Sequence, residues 1–111
     1  MEIAESRQDG VIILGLNGRL DASNAHAFEA KLLALIDAGE QRFVIDCAKL
    51  DYISSAGLRA LLVGGKRLKT SGGQIGVAAL QEHIKEVFDI AGFSSIFHVY
   101  RTPAEAAAAL R

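Results

Sequence analysis

The chain has 111 residues, of which 50% are hydrophobic and 23% charged; that suits one domain spanning 1–111 with a buried core, and excludes a disordered chain. Twelve basic residues against 13 acidic ones leave a formal charge of -1, which argues against direct nucleic-acid binding, normally the work of a clearly basic surface. The single cysteine, Cys47, excludes an internal disulfide and suits a reducing compartment. No apolar run approaches the roughly 18 residues of a membrane span, and Met1-Glu2-Ile3-Ala4-Glu5 carries acid where a signal peptide carries positive charge. The expected setting is therefore cytoplasmic, without membrane insertion.

The periodicity switches repeatedly between strand and helix. Residues 2–7 read as a strand, Asp9-Gly10 as a hairpin turn, and Val11-Ile12-Ile13-Leu14-Gly15-Leu16 as a second strand ended by Asn17-Gly18. Asn24 to Ala38 has a helical face of Ala25, Phe28, Leu32, Leu35 and Ile36, with Ser23 or Asn24 as cap and Gly39 as terminator. Arg42-Phe43-Val44-Ile45-Asp46 is a third strand, and Leu50 to Ser55 reads as a loop. A second helix follows from Ser55 to Thr70, with Leu58, Leu61, Leu62, Gly65 and Leu68 inward. Its last turns carry Lys66, Arg67 and Lys69, where cations suit the dipole.

Gln74 to Ala78 is a fourth strand. Glu82 to Ala91 is a third helix, with Ile84, Val87, Phe88 and Ala91 inward and Gly92 as cap. Ser95 to Tyr100 is the last strand. Thr102-Pro103-Ala104-Glu105 combines a capping box with proline at the first helical position, so a short Ala-rich helix closes the chain. Strands separated by helices of this length pair in parallel, and the opening hairpin adds one antiparallel pair. The fold class is α/β: a mixed sheet of about five strands with about four helices. The pattern does not decide whether those helices cover one face or both.

Sites in such sheets gather beyond the C-terminal ends of the parallel strands. Three stretches point there: Asp21 with Asn24, Asp46, and Asp51-Tyr52-Ile53-Ser54-Ser55-Ala56-Gly57-Leu58. Ser54 suits the N-cap of the second helix and Ser55 its first residue. Gly57 carries no side chain to shield that first turn from a partner. A phosphate on this hydroxyl would lie near free N–H groups and the positive end of the dipole. It would also add roughly -1.5 to -2 charges, which a binding partner would have to accept at the contact.

Ser54-Ser55-Ala56-Gly57-Leu58, after the strand Phe43-Val44-Ile45-Asp46, resembles the STAS domain, and in particular the stand-alone bacterial anti-sigma factor antagonists. Gly18-Arg19-Leu20-Asp21-Ala22-Ser23-Asn24-Ala25 resembles that family's loop into its first helix. Phe88-Asp89-Ile90-Ala91-Gly92-Phe93 resembles its third-helix ending. The resemblance covers nearly the whole chain, in order.

It implies a mixed sheet with helices packed mainly on one side, and a mechanism of partner switching. The unphosphorylated protein binds an anti-sigma factor that is also a serine kinase, which frees sigma. Phosphorylation of one serine breaks the complex, and a PP2C-type phosphatase restores it. The family's phosphoserine stands two positions before the motif glycine, which here is Ser55, with Ser54 as runner-up. The partner-binding surface so implied comprises Asp21, Asn24, Ser54, Ser55, Ala56, Gly57 and Arg59. Ser54 replaces an aspartate common in the sigma regulators, and Ala56 a Ser or Thr. STAS domains of this variant also serve other signalling circuits, and the alternative function is a STAS subunit of another bacterial assembly, such as an ABC-type lipid transporter, docking on an ATPase.

Other readings fail on spacing. Gly65-Lys66 lacks the rest of a phosphate loop, because position 60 is Ala and position 67 is Arg. Ser55 with Gly57 lacks the first glycine of a nucleophile elbow, position 53 being Ile. His26, His83 and His98 are scattered, so no metal site is expected, and no cofactor motif is present. Cys47 reads as a small core residue and Asp46 as a strand-end carboxylate. Gly64-Gly65 reads as close packing of the second helix on the sheet. No base is paired locally with Ser55, so an enzyme is not expected.

Overall fold

The computed structural model describes residues 1–111. Its elements are β1 (Glu2–Gln8), β2 (Val11–Leu20), α1 (Ala25–Asp37), β3 (Arg42–Ile53), α2 (Ser55–Ser71), β4 (Gln74–Ala78), α3 (Glu82–Ile90), a 3₁₀ turn (Phe93–Ser95), β5 (His98–Tyr100) and α4 (Pro103–Leu110). One five-stranded sheet runs β1-β2-β3-β4-β5. The β1–β2 pair is antiparallel, turned by Asp9 and Gly10, both at positive φ (52° and 80°). The other three pairs are parallel.

Both faces of the sheet are covered. Ile12, Leu14, Leu16, Phe43, Ile45, Cys47, Leu50 and Val77 face a core of 21 buried residues shared with α1, α2 and α3. Val11, Val44 and Ala78 face the other way and are capped by Ala106, Ala107 and Leu110 of α4. Strands buried on both sides read as unbroken apolar runs, so the sequence pattern carries no face assignment. The alternation of side chains along each strand supplies it. Three helices on one face and one short helix on the other is the observed arrangement. Thr102 caps α4, its hydroxyl accepting from Glu105 N–H at 3.1 Å.

Several expectations need correction. Asn17-Gly18 does not end the second strand, which runs to Leu20 with register shifts on either side of the pair. Gly18 takes φ +109°, so it makes an irregularity within the strand rather than a stop. Leu50 to Ile53 is not loop but the last turnless stretch of β3. Leu50 and Ile53 are buried in the main core, and their stretch pairs with Gly18, Arg19 and Leu20 of β2. Asp46 is therefore mid-strand, where its Oδ1 accepts from Ala48 N–H at 3.1 Å. The last strand begins at His98 rather than Ser95, because Phe93 and Phe97 turn inward, stacked on each other, with Phe93 meeting Phe88 edge-on. Ala91 is exposed at the end of α3 rather than inward.

Gly64 and Gly65 do close-pack, Gly64 on α1 rather than the sheet, and Gly65 on Phe97 with Ile75 of β4 behind it. A Cβ on Gly64 would stand 2.2 Å from Cδ2 of Leu32 on α1, and one on Gly65 would stand 2.9 Å from the Phe97 ring. The buried face of α2 is Gly57, Ala60, Leu61, Gly64 and Leu68; Leu58, Leu62 and Gly65 are half-buried. The absent side chain of Gly64 lets α1 approach α2 closely. Cys47 is fully buried, and burial pushes its thiol up to about 12.

Candidate functional site

Two loops meet at one end of the sheet. The β2–α1 loop is built by Asp21 and Asn24. Asp21 N–H donates to Asn24 Oδ1 (2.9 Å), and Asn24 Nδ2 donates to the Arg19 carbonyl (2.8 Å). The Asp21 carbonyl accepts from Ala25 N–H (2.9 Å). Asn24 is the N-cap of α1, yet its side chain makes no cap bond, since it is spent inside the loop. Ser23 does not cap the helix either. Its backbone N–H (3.0 Å) and hydroxyl (2.6 Å) both donate to Asp21 Oδ1. These bonds hold the Asp21 carboxyl below the usual carboxylate range.

The β3–α2 junction supplies the serines. Ser54 is the N-cap, in extended backbone, and its hydroxyl accepts from Gly57 N–H at 3.2 Å. Ser55 follows as the first helical residue and is exposed; Ala56 is half-buried and Arg59, one turn on, is exposed. The two loops are tied by one backbone bond, Ser54 N–H to the Leu20 carbonyl at 2.9 Å. That bond places Asp21, next to Leu20, beside the start of α2. Asp46 is not part of this end, because β3 continues for seven residues beyond it.

Gly57 differs most from expectation. It is buried, and its missing side chain faces inward: a Cβ would meet Leu20 Cγ at 2.8 Å and Ile53 Cγ1 at 3.0 Å. It therefore seats α2 on the strand ends rather than clearing a path for a partner. A neighbouring pair was not marked by the sequence pattern. Arg19 and Tyr52 are register partners, and the Arg19 guanidinium lies 4.2 Å from the Tyr52 ring centroid. Arg19 Nε also stands 4.0 Å from Asp21 Oδ2. Tyr52 is 40% exposed; an aromatic two residues before the serines was the available signal. His83 is spent on the Asp51 carbonyl at 2.6 Å. No three His, Cys, Asp or Glu side chains gather as metal ligands.

An α/β sheet of this order, with a serine-capped helix tied to the preceding loop, is the architecture of a STAS module. Residues 2–106 match the family model for the STAS domain, and the chain belongs to that family, among its anti-sigma factor antagonists. It is 43% identical over 111 residues to BtrV of Bordetella bronchiseptica, named as an anti-sigma factor antagonist, covering 100% of this chain and 96% of that protein. It is also similar to the crystal structure of an anti-sigma factor antagonist from Mycobacterium paratuberculosis, at 25% identity and TM-score 0.90 over 99% and 93% of the two chains. The Bacillus cell fate determinant SpoIIAA in its phosphorylated form shares the fold, with TM-score 0.79 at 19% identity over 99% of this chain and 100% of that one. No helix is long and apolar enough to cross a membrane.

Proposed function

We propose that the 111 residues act as one phosphorylation-switched binding module of a cytoplasmic partner-switching circuit. In its unphosphorylated form the module binds an anti-sigma factor that is also a serine kinase, so that a sigma factor is released. Phosphorylation at Ser55 blocks that contact, and a PP2C-type phosphatase reverses it. The chain itself performs no turnover.

The observation that carries this reading is the division of labour between the two serines. Ser54 is committed to the cap, with its hydroxyl taken by Gly57 N–H, whereas Ser55 is exposed at the first helical position. A kinase can reach Ser55 without unfolding the helix start. The new phosphate would sit by the positive end of α2, which tolerates it. Its roughly -1.5 to -2 charges would fall in the contact with the partner. The cost thus lands on the complex and not on the fold, as a switch requires. Family membership, and the phosphorylated form in which the structurally similar SpoIIAA was solved, support a phosphorylation switch.

The test is incubation with the cognate serine kinase and ATP, followed by intact mass and peptide mapping. One phosphate on Ser55 is expected, with none on Ser55→Ala, which should still bind the kinase. Ser55→Asp should weaken binding by about 1–2 kcal/mol, from charge placed in an interface. An unchanged mass, or equal calorimetric affinity for Ser55→Asp and the parent, refutes the proposal.

A further inference from the structure

A sizeable concavity lies far from the serines. It is a half-open groove of about 620 Å³ between the C-terminal half of α2, the β4–β5 edge and the end of α4. Lys66 and Lys69 are 11 and 14 residues beyond Ser55, or about 16 and 21 Å along the helix at 1.5 Å per residue.

The groove exists because β5 is short. Pairing with β5 begins only at Gly76 with His98, so the Gln74–Ile75 end of β4, paired with β3 on its inner side, has no strand on its outer side. The 3₁₀ turn ahead of β5 draws Phe97 under α2, where Gly65 makes room for its ring. Ile96 is left on the rim, 56% exposed. Half-buried Leu62, Ile75 and Tyr100 continue the apolar wall.

The charged part of the rim has one sign. No Asp or Glu lines the groove, while Lys66, Lys69 and His98 do. None of the seven ion pairs in the chain uses either lysine. Arg67, between them in sequence, turns instead to Asp37 at 2.7 Å. The two lysines therefore bring positive charge that no carboxylate pairs to an apolar trough whose volume suits a small molecule.

We propose that this groove binds a small amphipathic anion, an apolar body ending in one carboxylate, with the body along Leu62, Ile75, Ile96 and Tyr100 and the carboxylate at Lys66 and Lys69. A single negative charge fits better than a phosphate dianion. The groove lies at the carbonyl end of α2, whose dipole opposes added negative charge. The lysines offer mobile point charges and not the planar fork that grips a phosphate. The site does not depend on the role of Ser55.

The experiment titrates the isotope-labelled protein with sodium decanoate, below its micelle concentration, and follows backbone amide shifts. Saturable shifts are expected at Gly65, Ile75, Ile96 and His98, with the start of α2 unmoved. Lys66→Gln with Lys69→Gln, a surface change that leaves the core intact, should weaken binding about tenfold. Ile96→Asp should abolish saturation. Decyltrimethylammonium, with the same chain and opposite charge, should not saturate the site. Equal shifts from the two amphiphiles would overturn the proposal, because they would show apolar adsorption without charge selection. So would unchanged affinity in the double variant, or saturable binding of inorganic phosphate at the two lysines without any apolar chain.

Discussion

Gly57 and Leu20 stand so close that a Cβ on the glycine would lie 2.8 Å from Leu20 Cγ and 3.0 Å from the Leu20 carbonyl oxygen. Leu20 is fully buried, and its carbonyl is already held by Ser54 N–H at 2.9 Å. One contact thus fixes the height of α2 above the end of β2, and with it the distance between Asp21 and the two serines.

Gly57→Ala is expected to destabilise the protein. Overpacking of a filled core costs about 1–3 kcal/mol, while alanine regains about 1 kcal/mol of helix propensity over glycine. The overlap wins because one of the atoms met is backbone. Urea unfolding of the variant should show a lower midpoint at unchanged m-value. A midpoint at or above the parent's would mean that α2 can shift freely.

The two serines should separate cleanly under mutation. Ser54→Ala loses the cap bond to Gly57 N–H and should cost about 1 kcal/mol of stability. It should leave modification by the kinase intact. Ser55→Ala should leave the unfolding midpoint nearly unchanged and abolish modification. Loss of modification in Ser54→Ala with the fold retained would reassign the acceptor to Ser54.

Tyr52 and Arg19 form an exposed aromatic and guanidinium pair at the same end of the sheet. Residues of these types carry a large share of interface energy when a partner covers them. Tyr52→Ala should therefore weaken kinase binding by about 1–2 kcal/mol while the melting temperature hardly moves. Equal affinity by calorimetry would place the contact elsewhere around the serines.

The Asp21 carboxyl is held low by the Ser23 hydroxyl first and the Ser23 N–H second. A carboxyl whose folded value lies below its unfolded value stabilises the folded state above the unfolded value, and loses that contribution as pH falls through the folded one. The β2–α1 loop should therefore stay ordered at neutral pH and loosen only in acid, below the ordinary aspartate range. Ser23→Ala removes the larger cause and keeps the N–H bond, so the carboxyl should titrate at higher pH. Carbon-detected NMR of Asp21 reads this directly, and identical midpoints in the two proteins would show that the hydroxyl bond is not formed in solution.

Much of this was legible in the residues. Hairpin chemistry at Asp9-Gly10, helix periods after Asn24 and Ser55, and the capping box at Thr102 are local codes, satisfied within a few bonds of backbone. The placing of Ser54 as cap and Ser55 as first helical residue was legible for the same reason, because it is set by one helical turn. What stayed hidden was every feature made by residues distant in sequence. Leu50 to Ile53 became strand only because β2 offered it a neighbour and the core took Leu50 and Ile53. Gly57 turned inward because Leu20 lay beneath it, and Gly64 was shaped by Leu32. Arg19 met Tyr52 through strand register, and Lys66 and Lys69 came to border a groove because β5 started late. Propensity and capping act between near neighbours and can be read along the chain. Register, close approach and exposure depend on which surfaces meet, and those were settled only when the sheet and its helices packed together.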